Sequence, residues 1–198
     1  MDSEQIKRLT SFLYEIGNLR KVIRGHQQML LASDLTDNIA THSFRVAWIG
    51  YFLAKNLQAD ADKVLKMCLM HDIEEVRSGD HNWVHKKYIK TFEDEIRNEQ
   101  FSNLLNTEEL QQLSKEYDER ETLEAKITKD ADILDEVFLL REYEWQGNKE
   151  ASNWLYNKDT KNEFEKLLST ELAQQIVKEI EGQNPSDWWK NAWTPNRR

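Results

Sequence analysis

Proline is nearly absent from this chain. Its two prolines, Pro185 and Pro195, both lie at the C-terminal end of 198 residues. Glycine is scarce too, at six residues. Sandwiches and barrels need frequent Gly- and Pro-rich turns, so these shortages exclude that class and favour an all-α fold. Cysteine occurs once, as Cys68 inside the apolar run 64–70, which excludes an intrachain disulfide framework and fits a reducing compartment. No 18-residue apolar run exists and the start, MDSEQIKRLT, lacks a hydrophobic signal region, so the expectation is a soluble, cytoplasmic protein with no membrane partner. Positive charge is in deficit: 27 Lys and Arg against 36 Asp and Glu give a net charge of −9. That argues against a nucleic-acid polymer held through its phosphates, but not against a small nucleotide bound beside a cation.

Aromatic residues are plentiful, with 7 Trp, 6 Tyr and 7 Phe to fill one interior. The length fits a single domain over 1–198. Helical spacing of Ile6, Leu9, Phe12 or Leu13, Ile16 and Leu19 predicts a helix over 4–20. Asp34, Thr36, Asp37 and Asn38 offer N-caps for a second helix running to about 57, with Val46, Ile49, Leu53 and Leu57 on one stripe. A third is expected over about 60–76, broken by Gly79, then a loop with a short turn over 80–90. Residues 91–105 and 107–118 read as surface helices. The stretch 120–146 is apolar on several sides and should be central. A last long helix is expected over 159–181, followed by a tail with Trp188, Trp189 and Trp193 docked on the body.

Chemistry is concentrated in His and Asp residues set among apolar neighbours. His71-Asp72 follows Cys68-Leu69-Met70 directly, and a carboxylate there needs a partner. His42 shares the stripe of Val46, Ile49 and Leu53, so it faces inward. The central helix carries Asp130, Asp132 and Asp135, and periodicity alone does not choose among them. Two imidazoles and two carboxylates suit one divalent ion of the Mn, Fe, Co, Zn or Mg type, and four ligands on an octahedral ion leave two positions open.

These residues resemble the H…HD…D pattern of the HD-domain metal-dependent phosphohydrolases, and especially the branch containing the 5′-deoxynucleotidases. The matching segments read Ala40-Thr41-His42-Ser43, His71-Asp72-Ile73-Glu74-Glu75-Val76-Arg77-Ser78-Gly79-Asp80 and Lys129-Asp130-Ala131-Asp132-Ile133-Leu134. The likeness spans roughly 20–145. It implies a helical HD bundle with a central ion on His42, His71, Asp72 and Asp132. It further implies Glu75 as the group that orients or deprotonates water, and Asp80 as a second acid or a contact to the sugar or leaving group. Arg24 and Lys87 would bind phosphate. Thr41 stands where the branch often has an acid, and no Trp accompanies Arg24. His81 and His85, four apart, are candidates for a second ion.

The implied activity is a phosphomonoesterase acting on a small phosphorylated substrate, a (deoxy)nucleoside 5′-monophosphate, in a chain that forms a homodimer as relatives do. The alternatives are an HD-type phosphodiesterase, a guanosine polyphosphate hydrolase, and a non-catalytic helical module that binds metal or nucleotide.

Overall fold

The computed structural model describes residues 1–156, 163–190 and 192. Among them there is no strand, only an isolated bridge between Ile23 and Asn38. The helices are α1 (Ser3–Ile16), α2 (Ile39–Asn56), α3 (Ala61–Met70), α4 (Glu75–Ser78), α5 (Trp83–Tyr88), α6 (Glu93–Phe101), α7 (Glu108–Glu119), α8 (Leu123–Trp145), α9 (Lys149–Tyr156), α10 (Glu163–Leu167) and α11 (Glu171–Gly182). The all-α expectation holds.

Local chemistry sets the starts of the long helices. Asn38 caps α2 in a reciprocal pair with Thr41, Asp60 caps α3, and Thr122 caps α8. The central layer is α2, α3 and α8. Val46, Leu53, Val64, Cys68, Ile127, Leu134, Val137 and Leu140 form its core. Gly50 permits the close approach of α2 and α3, because a Cβ there would lie 2.6 Å from Cys68 Sγ. A second cluster, with Phe12, Met67, Met70, Ile73, Phe101, Leu113 and Tyr117, joins α1, α6 and α7 to the end of α3. The helices over 91–105 and 107–118 therefore contribute to the interior as well as to the surface.

Several boundaries differ from the sequence expectation. The helix expected over 60–76 stops at Met70. Residues 71–74 form tight turns with bonds three residues apart, Ile73 N to Met70 O at 3.1 Å and Glu75 N to Asp72 O at 3.2 Å. Segment 80–90 is mostly helical, as α5, because Asn82 accepts from the amides of Val84 and His85. α9 was not expected at all. The last long helix is two, α10 and α11, because Asp130 accepts from Ser169 N, Thr170 N and Thr170 Oγ1 and so holds a bend between them. The first residues of that expected helix, 159–162, lie outside the described residues. In α1, only Phe12 of the expected stripe is buried, against Phe101. The described tail differs from its expected docking: Trp188 and Trp189 pack on each other at 4.9 Å yet stay 78% and 51% exposed. Trp193 lies outside the described residues.

Candidate metal centre

Three separate segments deliver the site. His42 sits in the first turn of α2, on the face that buries Val46. His71 and Asp72 occupy the turn after α3, and Asp132 comes from the middle of α8. In a regular helix neighbouring side chains diverge by about 100°. The tight turn instead brings His71 Nε2 within 3.1 Å of Asp72 Oδ2. His42 Nε2 lies 3.2 Å from His71 Nε2, 3.5 Å from Asp72 Oδ2 and 3.3 Å from Asp132 Oδ1. His71 Nε2 is 3.8 Å from Asp132 Oδ1. Donor atoms about 2.1 Å from a shared ion sit about 3 Å apart when adjacent, so these separations fit one cation. His42, His71 and Asp72 form a mutually close group, and Asp132 joins it through both imidazoles.

Proton placement makes the same point. His71 Nδ1 is 2.9 Å from the carbonyl of Cys68, which only accepts, so Nδ1 donates. His42 Nδ1 lies 2.6 Å from Asp135 Oδ2 and donates to it. In the neutral rings both Nε2 atoms then carry lone pairs aimed at two carboxylate oxygens. Four acceptors meet with no donor among them, and a cation resolves that arrangement. The titration directions show the surplus of negative charge that a cation, or failing one a proton on each ring, must neutralise. Burial and Arg24 lower the proton affinity of His42, but Asp132, Asp135 and Asp72 outweigh them and push it up to about 10. Burial likewise opposes, and Asp72 and Asp132 dominate, at His71, also pushed up to about 10. Burial would raise Asp72 and Asp132. The imidazoles, with Lys129 first at Asp132, hold both well below the usual carboxylate range.

The three aspartates of α8 have separate tasks. Asp132 faces the imidazoles through Oδ1, while its Oδ2 accepts from Lys129 Nζ at 2.7 Å. Asp135, one turn on, orients His42 and is itself gripped by Arg45, whose Nη1 donates to Glu142 at 2.6 Å. Asp130 faces the α10–α11 bend.

A cleft of about 350 Å³ opens beside these ligands. Glu75 enters it from α4. Its Oε2 is buried without a hydrogen-bond partner, and burial, then Asp72 and Asp80, raises its carboxyl. Asp80 Oδ2 accepts from Gly25 N at 2.9 Å and lies 3.2 Å from Arg24 Nε. Arg24 also reaches Asp72, at 3.9 Å. Gly25 is required here, since a Cβ would meet Asp80 O at 2.7 Å and Asn82 N at 2.9 Å. The sequence candidates His42, His71, Asp72, Asp132, Glu75, Asp80 and Arg24 thus converge.

Lys87 does not join them. It is exposed, with its ammonium 5.2 Å from the neighbouring Tyr88 ring, and Lys86 lines the cleft instead. α5 sets Lys86 at the cleft's edge, a position that requires knowing the helix. His81 and His85 pack edge to face at 5.7 Å and gather no third ligand among the described residues. The sequence places Lys86 in the same cluster of donors as Lys87 but does not choose it, and it does not single out Tyr117, Arg120 or Glu136 as cleft residues. Glu136, four residues past Asp132, had a usable signal in that spacing.

The family model described as HD domain matches residues 16–178. The chain belongs to the HD domain family. Its His71-Asp72 pair and flanking His42 and Asp132 occupy the heart of the matched region. The 5′-deoxynucleotidase HDDC2 of Dictyostelium discoideum is 28% identical over 160 residues, which cover 72% of this chain and 83% of that protein. A conserved hypothetical protein from Pyrococcus furiosus is 27% identical, with a TM-score of 0.71 over 88% of this chain and 99% of its own. A predicted metal-dependent phosphohydrolase from Magnetospirillum magnetotacticum, 21% identical, shares the fold with a TM-score of 0.69 over 90% and 91% of the two chains.

Proposed function

We propose that this HD-domain chain is a metal-dependent phosphomonoesterase acting on a (deoxy)nucleoside 5′-monophosphate. The carrying observation is the meeting of two imidazole lone pairs and two carboxylates beside the unpartnered Glu75 carboxyl. His42, His71, Asp72 and Asp132 would hold one divalent ion, of the Mn, Co, Fe, Mg or Zn type. When bound, that ion lowers the pKa of water and offsets phosphoryl charge. Glu75 holds the proton exchanged between the attacking water and the leaving oxygen, its buried Oε2 having no partner in the protein to compete for it. Arg24, with Nε and Nη1 lacking full hydrogen-bond partners, offers donors to phosphoryl oxygens. Asp80 keeps Arg24 in place and has a second oxygen left for a substrate hydroxyl.

The cleft is at the small end of ligand sites, which favours a mononucleotide. The relationship to a 5′-deoxynucleotidase supports the same substrate class. The test is orthophosphate release from a nucleotide panel with Mn²⁺, Co²⁺ and Mg²⁺ in turn. Inactivity of the metal-loaded protein across the panel overturns the proposal. Pyrophosphate release would point to the polyphosphate branch. Tight nucleotide binding without turnover would point to a binding module, a role in which Glu75 has no task.

The setting we propose is the cytoplasm, in keeping with one free, buried cysteine. No helix among the described residues is long and apolar enough to cross a membrane. We also propose a homodimer. Phe44, Trp48 and Phe52 form a stripe on α2 at spacing four, 65%, 52% and 58% exposed. Pairing two α2 helices antiparallel about Trp48 sets Phe44 against Phe52 of the second copy. It also brings Lys55 to the end where Asp34 lies. Sedimentation should give a dimer for the parent and a monomer for Trp48→Asp.

A further inference from the structure

Arg120 is a cleft residue that neither the metal set nor the proton-handling residues use. Eight carboxylates and five Lys and Arg residues line that cleft. Arg24 is engaged by Asp80, Arg97 by Glu74 and Asp118, and Lys129 by Asp132. Lys86 has no ion pair but is exposed and unsupported. Arg120 is half-buried and forms no ion pair with any described carboxylate, although the surroundings are rich in them. It is held instead by neutral groups. Its guanidinium carbon stands 3.2 Å from the Tyr117 ring centroid, and Nη1 donates to the Tyr117 carbonyl.

That support leads straight to the metal set. Tyr117 is buried and packs edge-on against His71, ring centroids 5.8 Å apart at 75°. The order is therefore His71, Tyr117, Arg120, a run of contacting side chains ending in a planar cation at the cleft wall. The backbone adds a second observation. Arg120 ends α7 in the left-handed region, φ 56° and ψ 21°, where glycine fits without penalty and a long side chain does not. A glycine would suit that backbone at least as well, so the helix end itself does not require an arginine.

We propose that Arg120 binds the phosphoryl oxygens of the substrate from the α7 side, so that the phosphate is held between it and the metal ligands. A planar guanidinium without a carboxylate partner, fixed on an aromatic ring, is suited to a tetrahedral oxyanion. This rests on the phosphohydrolase reading and deepens it by naming a second anion-holding residue, across the cleft from Arg24.

The experiment measures orthophosphate binding to the Mn²⁺-loaded protein by calorimetry, with KM for a nucleoside monophosphate as the second readout. Arg120→Gly should melt at the parent's temperature or higher and keep its manganese. Its phosphate affinity should fall about 10- to 100-fold, the loss expected for charge-assisted bonds, and its KM should rise in step. Arg120→Lys should recover part of both. Parent-like phosphate affinity in Arg120→Gly overturns the inference while leaving the phosphohydrolase reading intact. A fall in manganese content or melting temperature that accounts for the lost affinity also overturns it, since the role would then be structural. Failure of the Mn²⁺-loaded parent itself to bind orthophosphate sinks the inference and the reading beneath it together.

Discussion

Two of the cavities that border α8 differ in what their walls require. The groove toward α11, about 640 Å³, is lined by Phe138, Ile176, Ile180 and Trp188 among others. Most of its charged groups are ion-paired, Arg141 with Glu144, Glu142 with Arg45 and Asp187 with Lys190, although Arg141 Nε and Asp187 Oδ1 lack hydrogen-bond partners there too. The cleft toward α4 and α7 is smaller, about 350 Å³, and its walls are unsatisfied. Four ligand atoms there point at one another without a donor, and Glu75 Oε2 and Arg24 Nε lack hydrogen-bond partners. Volume therefore does not locate chemistry in this protein. Ligand atoms that converge without a donor among them do, because only a cation repays the cost of burying them together.

The sharpest way to break the contrast is to remove a cleft acid that the proposed ion needs. Asp72→Ala should lose bound metal by elemental analysis and lose phosphate release entirely. Glu75→Gln is next: metal content should stay while kcat falls about 10²- to 10⁴-fold, the usual range for a general acid or base. Asp135→Ala touches the support of His42 rather than the ion. Metal affinity should drop about 10- to 100-fold in a chelator competition, because the imidazole loses its orienting partner.

Asp130→Ala tests the other side of the same helix. It should leave metal content unchanged and lower stability by about 2 kcal/mol in urea unfolding, since three donors near the α10–α11 bend lose their acceptor. Trp188→Ala, in the groove, should be the mildest. Turnover should match the parent, and stability should shift by less than about 0.5 kcal/mol. A large loss of activity from Trp188→Ala would show that the groove, too, belongs to the catalytic apparatus.

The two sides of α8 also explain what could be read beforehand. Its centrality was legible, because Ile127, Ala131, Ile133, Leu134, Val137, Phe138 and Leu140 make it apolar on more than one side. The division of labour among Asp130, Asp132 and Asp135 was not, since an all-round apolar helix gives periodicity nothing to select. The break after Met70 was hidden for a related reason: Ile73 and Val76 continue the apolar spacing of α3, while the chain turns tightly at His71. Lys86 and Lys87 were indistinguishable until α5 assigned them to different sides.

From residue order alone came the helical class, the central helix, the family likeness and the set His42, His71, Asp72 and Asp132. Those follow from composition, short-range spacing and motif, which are local. The folded chain alone decided that Asp135 steadies His42, that Asp80 grips Arg24 and that Arg120 rests on Tyr117. Each of these pairs residues from different segments or turns on a backbone conformation, and such contacts exist only once packing has brought the helices together.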